Sequence, residues 1–195
     1  NVIGMPAFTA GLSLGEYSAL VASGVIDFGL AAALVRKRSI FMADASKKNP
    51  GKMLTIVGLS AQAVKEVCNK TGTEIANFNS PAQIVISGKV DGIEDASSLA
   101  KQYGAKKTLV LDVSGPFHSS LMDEASILLK EYIEKISLSS ARVPVISNFS
   151  AEPAVKPEII KDNLINLVNH ATRWEESVHY MIEQGVSRFI EIGPG

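Results

Sequence analysis

Hydrophobic positions along the 195 residues alternate between strand-like runs and helical spacing. Residues 7–10 form a short apolar run that predicts a buried strand. Residues 14–23 follow as a helix with Tyr17, Leu20 and Val21 on one face, stopped by Gly24. Asp27 is placed to cap a second helix that runs to about Ala45. Residues 47–51 (Lys-Lys-Asn-Pro-Gly) read as a loop and a candidate domain boundary. Beyond it, strands are expected at 53–57, 74–78, 83–87 and 108–113, with helices at 61–70 and 90–103. After Gly115-Pro116, Leu121, Ala125, Leu128, Tyr132 and Ile136 recur at helical spacing. A strand at 143–148, helices at 157–169 and 174–184 and a last strand at 187–192 complete the pattern.

The β-α-β-β-α-β order after residue 52 is the split βαβ, or ferredoxin-like, unit, for which about 60 residues suffice. Strands alternating with helices on both sides of it predict an α/β protein. Residues 1–51 and 115–195 would build a larger core with a parallel sheet and flanking helices, and residues 52–114 a small inserted α+β body. The chain begins at Asn1 and ends on Gly193-Pro194-Gly195 straight after a strand-like run, so it reads as a fragment.

Composition removes several function classes. Nineteen basic residues against twenty acidic ones, with no basic stripe, give no support to nucleic-acid binding. No apolar run approaches the roughly 18 residues that cross a bilayer, so no membrane association is expected. Cys68 is the only cysteine, which excludes an internal disulfide and a cysteine-built metal site. The expected setting is cytoplasmic, and the expected state monomeric.

The chemistry concentrates at a few positions. Gly11-Leu12-Ser13-Leu14-Gly15 is a Gly-x-Ser-x-Gly pentapeptide between an expected strand and an expected helix, the context of a nucleophile elbow. Such a turn leaves little room for side chains at its glycines and lifts the serine hydroxyl clear of the backbone. The Leu14 N–H then points to where an oxyanion would form, at a helix N-terminus. A serine needs a base. Of three histidines, His179 lies inside a helix and His170 in a polar helix-end stretch. His118 follows a strand and precedes a helix whose N-terminus would keep the imidazole neutral, which makes it the best candidate. Arg38 falls in an apolar helical stripe with Leu30, Leu34 and Phe41 or Met42. Its charge is either paired internally, carried to the surface, or held ready for a substrate carboxylate.

These segments resemble the discrete malonyl-CoA:acyl carrier protein transacylases of type II fatty-acid synthesis. The likeness is carried by G-L-S-L-G-E-Y-S-A-L-V from Gly11, the stretch 38–42, N-F-N-S-P from Asn77, G-P-F-H-S-S-L-M from Gly115 and the closing E-I-G-P-G from Glu191. It implies a hydrolase-like α/β core with a ferredoxin-like insertion, Ser13 as the acylated nucleophile and His118 as general base. Leu14 would supply an oxyanion amide, and Arg38 would grip a malonyl carboxylate. Asn77 and Asn79 would sit near the cleft, a backbone carbonyl near Leu167 would orient the histidine, and Phe117 would select against an α-methyl branch. The implied partners are malonyl-CoA and an acyl carrier protein; the residues themselves show no metal-ligand spacing and no phosphate loop, so no metal and no cofactor are expected. Two departures stand out: Leu12 replaces a frequent histidine, and the family's leading Gly-Gln-Gly segment, source of a second oxyanion amide, is not in the sequence. Two related readings remain open at this level. One is a serine esterase or thioesterase using His170 or His179; the other is an acyltransferase domain of a multidomain synthase. A carrier-protein docking module is a third, non-enzymatic reading.

Overall fold

The structure is a computed structural model, and it describes residues 4–193; the Pro194-Gly195 end of the last motif lies outside them. Helices α1 (Leu14–Ala22) and α2 (Phe28–Lys48) come first. The Asp27 side chain accepts from the Leu30 N–H at 2.9 Å and starts α2 as the sequence suggests. The expected loop at 47–51 is shorter than its composition implies. The helix runs on to Lys48, and only two residues separate it from strand β1 (Gly51–Val57).

Strands β1, β2 (Glu74–Ser80), β3 (Gln83–Lys89) and β4 (Lys107–Val110) form one antiparallel sheet in the order β2-β3-β1-β4, crossed by helices α3 (Ala61–Thr71) and α4 (Val90–Gln102). Alternation along the strands sorts their side chains. Leu54, Ile56, Ile84 and Ile86 face Val64, Val67, Ile93 and Ala96 of the two helices. On the other face, Met53, Ala76 and Val85 make a second, smaller cluster that includes Leu111 and Phe117. Both faces of β1 and β3 are therefore covered, which is why these strands read as nearly unbroken apolar runs.

The remaining elements are a 3-10 turn (Ser120–Met122), α5 (Asp123–Ile133), β5 (Val145–Ile146), β6 (Pro153–Ala154), α6 (Pro157–Leu167) and α7 (Trp174–Glu183). Helices α1, α2, α5 and α6 share one core built on Leu20, Leu34, Leu129 and Leu164. The buried face of α5 is Ala125, Leu129 and Ile133, so Leu128 and Tyr132, expected inside, sit at its margin. The Tyr132 ring instead lies under the Lys37 ammonium, 5.8 Å from its centre.

The sheet of this second body is much shorter than the sequence suggests. Residues 7–10 contribute a single parallel bridge, Thr9 to Val145, and 143–148 only the two residues of β5 paired with β6. Residues 187–192 form no strand: no neighbour among the described residues pairs with them, and Phe189 and Ile192 are 52% and 90% exposed. A strand exists only as part of a ladder, so local pattern alone cannot make one. Hydrogen bonds join these elements to β2 of the antiparallel sheet. Thr172 bridges β2 at Asn77, with the Phe78 N–H donating to Thr172 O at 2.9 Å, and the Glu74 carboxylate accepts from the Ser120 N–H. Among the described residues no helix is long and apolar enough to cross a membrane.

Candidate active site

Ser13 immediately precedes α1 and has φ 47° and ψ −95°, a conformation that side-chain-bearing residues rarely adopt. The turn is tight at its first glycine: a Cβ on Gly11 would stand 2.2 Å from the Gly15 carbonyl carbon and oxygen. Gly15 differs from the expectation, for nothing among the described residues lies within 4 Å of a Cβ there. With no capping bond to make, the Ser13 hydroxyl is free to turn toward α2 and the segment before α5.

Two groups meet it there. Arg38 Nη2 donates to Ser13 Oγ at 2.8 Å, and His118 Nε2 lies 2.8 Å from the same oxygen. His118 Nδ1 lies 2.8 Å from the Leu167 carbonyl at the end of α6. A carbonyl only accepts, so Nδ1 carries the proton and Nε2 is left to accept from the serine hydroxyl. His118 itself has φ 58°, in a turn packed so closely that a Cβ on the preceding Gly115 would fall 1.9 Å from Ser46 Oγ.

His118 is 5% exposed, and its pKa falls to about 4, first because burial disfavours the imidazolium and then because the Arg38 charge is near; the Leu167 bond opposes the fall. A 3-10 turn, rather than the start of α5 itself, follows His118 and Ser119. Ser119 and Ser120 do not cap by side chain; Ser119 Oγ donates to Pro116 O at 2.7 Å.

Arg38 is 7% exposed, and no carboxylate oxygen among the described residues lies within 4.0 Å of its guanidinium. Of the three possibilities open from the sequence, surface exposure and an internal ion pair are thus both absent. Its flat group lies 5.7 Å from the Tyr17 ring centre. Nothing among the described residues accepts from the Leu14 N–H, which opens α1 beside Ser13. Phe117 is half-buried between the main core and the sheet's far face. Asn77 and Asn79 lie on β2; Asn79 Oδ1 is buried without a partner, and neither residue bonds to Ser13, His118 or Arg38. His179 and His170 are both exposed, and His170 Nδ1 faces Asn166 O and Asn169 Oδ1. No group of His, Cys, Asp and Glu side chains among the described residues is arranged to hold a metal ion.

Two residues of the site were not singled out from the sequence. Asn148 is fully buried, with its carboxamide bonded to Gly11 O and the Ser13 N–H. Glu16, 2% exposed, accepts from the Asn148 N–H; burial raises its pKa to about 7, against lowering by that bond and by Arg38. The available signals were slight: Asn148 ends an expected strand, and Glu16 stands one helical turn before Leu20.

Fold and site together define an α/β protein whose Gly-x-Ser-x-Gly elbow opens a helix beside a buried histidine and a buried arginine. The model of the acyl transferase domain family matches residues 4–195, and the chain belongs to that family. The chain is 49% identical to the malonyl CoA-acyl carrier protein transacylase of Bacillus subtilis (strain 168), covering 97% of this chain and 62% of that protein. It is 40% identical to the protein of that name from Staphylococcus aureus (strain MRSA252), covering 97% and 63%. An acyl carrier protein S-malonyltransferase structure from Vibrio cholerae superposes with a TM-score of 0.94 at 41% identity, over 99% of this chain and 64% of that one. A Streptococcus pneumoniae structure described as MCAT gives 0.92 at 43%, over 98% and 64%. The chain thus spans somewhat less than two thirds of the length of these relatives.

Gly11→Ala should lower the rate at which a phosphonylating reagent modifies Ser13 by about a hundredfold, because backbone must move, whereas Gly15→Ala should stay near the parent rate. Intact-mass kinetics read both. With the His118 pKa depressed, the imidazole remains neutral to about pH 4, so if it assists Ser13 the acid limb of that reaction should bend near pH 4 and not near the ordinary 6.5. The sign carries over to stability. Between pH 6.5 and 4 the unfolded chain takes up a proton that folded His118 refuses, so this group destabilises the fold as pH falls through that window.

Proposed function

We propose that the site transfers a malonyl group from malonyl-CoA to the phosphopantetheine thiol of an acyl carrier protein, through a malonyl ester on Ser13. His118 Nε2 takes the hydroxyl proton as Ser13 Oγ bonds to the thioester carbonyl carbon, with the oxyanion forming beside the Leu14 N–H. The carbon–sulfur bond then breaks, and the imidazolium returns its proton to the departing CoA sulfur. In the second half the carrier thiol gives its proton to His118, attacks the ester, and Ser13 recovers its hydrogen. His118 has no carboxylate behind it; the Leu167 carbonyl fixes its tautomer and supports the imidazolium only as a dipole. Phe117 narrows the space beside the acyl carbon, and Asn77 and Asn79 line the approach between residues 52–114 and the larger body.

The observation that carries the malonyl assignment is Arg38. Its buried guanidinium touches the reacting oxygen and has no carboxylate partner. One N–H is used on Ser13 Oγ, and the others are free to take a carboxylate in a two-pronged contact. In malonyl the carboxylate stands two carbons from the acyl carbon, within reach of a guanidinium that already contacts the serine. The curated relatives and structural neighbours are named for malonyl transfer, and one neighbour's title describes a type II polyketide synthase carrier protein in complex with its malonyl-transacylase. These names support the substrate and partner proposed here. A cytoplasmic, monomeric protein is part of the same proposal. The esterase reading loses its footing, since it needs His170 or His179 beside Ser13.

A neutral acyl group would leave the buried charge unpaired, at a cost of several kcal/mol. Arg38→Ala should therefore lower malonyl transfer by about 10²-fold or more while acetyl transfer, slow in the parent, falls far less or rises. Competing the two thioesters and weighing the Ser13 esters measures the ratio directly. Equal losses from both substrates would refute the role given to Arg38.

A further inference from the structure

Thr9 and Val145 begin a parallel ladder: the Thr9 N–H donates to Pro144 O at 3.0 Å, and the Ile146 N–H donates to Thr9 O at 2.9 Å. Continued in register, such a ladder would carry the Gly11 N–H to Ile146 O, then the residue 148 N–H to Gly11 O and the Ser13 N–H to residue 148 O. The backbone does not make this rung. The Asn148 N–H goes to Glu16 Oε2 at 3.0 Å, and Asn148 O accepts from the Arg173 N–H at 2.8 Å. The Asn148 side chain stands in the vacated place. Its Nδ2 donates to Gly11 O at 2.7 Å, and its Oδ1 accepts from the Ser13 N–H at 2.7 Å.

We propose that Asn148 is a positioning residue for Ser13, its carboxamide replacing one backbone rung of the sheet and thereby setting the direction of the serine hydroxyl. The proposal rests on the reading of Ser13 as the acylated residue. A serine at φ 47° and ψ −95° persists only where its surroundings over-determine it. Downstream, the Gly15 N–H to Leu12 O bond at 2.8 Å and the Glu16 N–H to Ser13 O bond at 3.2 Å fix the turn. Upstream, both recorded bonds to Gly11 O and the Ser13 N–H come from Asn148. A primary amide offers a donor and an acceptor in one rigid plane, as a peptide does. Aspartate lacks the donor, alanine lacks both, and glutamine places them one methylene farther out. Glu16 completes the arrangement by occupying the Asn148 N–H, so the main chain does not compete with the side chain for Gly11 O. A plain backbone rung would bring strand after strand into line and carry the chain straight on. The side-chain rung lets the main chain of residue 148 depart toward Arg173 while the elbow keeps its support.

The test compares Asn148→Ala and Asn148→Asp with the parent chain in rapid-mixing acylation by malonyl-CoA, reading rate constant, burst amplitude and KM separately. The expected result is a fall of at least about tenfold in the acylation rate constant of both variants, with KM within about threefold. A residue that only stabilised the fold would lower the amplitude and leave the rate constant of the folded fraction alone, so an unchanged rate constant overturns the proposal. If neither variant folds, hydrogen exchange on the parent decides. The Ser13 amide and Asn148 carboxamide protons should exchange as slowly as the β1 and β3 amides. Exchange at the rate of exposed loop amides overturns it. A parent that forms no Ser13 adduct would instead sink the reading of the site, and the exchange rates would still judge the rung.

Discussion

Ser13 Oγ is held at 2.8 Å by Arg38 Nη2 and at 2.8 Å from His118 Nε2, residues 25 and 105 positions away in the chain. A hydroxyl has one hydrogen and two lone pairs, so these contacts define its orientation: it accepts from the arginine and donates to the histidine. Everything else in the site serves that convergence. The guanidinium arrives because α2 carries Arg38 on the face that also buries Leu34 and Met42. The imidazole arrives because a crowded Gly115 turn forces His118 inward, where α6 ends at Leu167. The same burial that brings these groups together sets their chemistry. It keeps the imidazole neutral and leaves the guanidinium with no carboxylate within 4.0 Å among the described residues, which suits the base and anion-binding roles we propose for them.

The antiparallel sheet matters to this site through its far face. Met53, Ala76 and Val85 pack toward Leu111 and Phe117, so the residue next to the histidine touches both the sheet's far face and the main core. Thr172 and Glu74 fasten the two bodies on the same side. Their relative position is thus fixed by backbone pairing and a carboxylate contact, not by apolar packing alone. We read residues 52–114 as an insertion that walls the acyl site, a division that remains our proposal.

The parts of the site legible in the sequence were those with strong local signatures. Ser13 announced itself by its flanking glycines, His118 by its place after a strand, and Arg38 by being a charge in an apolar stripe. Helices and antiparallel strands whose partners are close in sequence were equally clear, because pattern, caps and turns all point the same way there. Asn148 and Glu16 were not legible. An asparagine at a strand end and a glutamate in a first helical turn each have an ordinary local explanation, as a turn former or a solvated acid near a helix N-terminus. Their roles exist only once Thr9 and Val145 have met, 136 residues apart in the chain. The strand expected at 187–192 does not form, because no neighbour among the described residues pairs with it and an apolar pattern alone makes no ladder.

We propose that Ser13 carries the acyl group and that the group is malonyl. Intact-mass spectrometry after brief exposure to malonyl-CoA, with peptide mapping, reads both at once on the parent chain and on Ser13→Ala. One malonyl adduct is expected, mapped to the peptide containing Ser13, and none on the variant. An adduct that survives in Ser13→Ala, or a folded parent that takes no malonyl group, would contradict it.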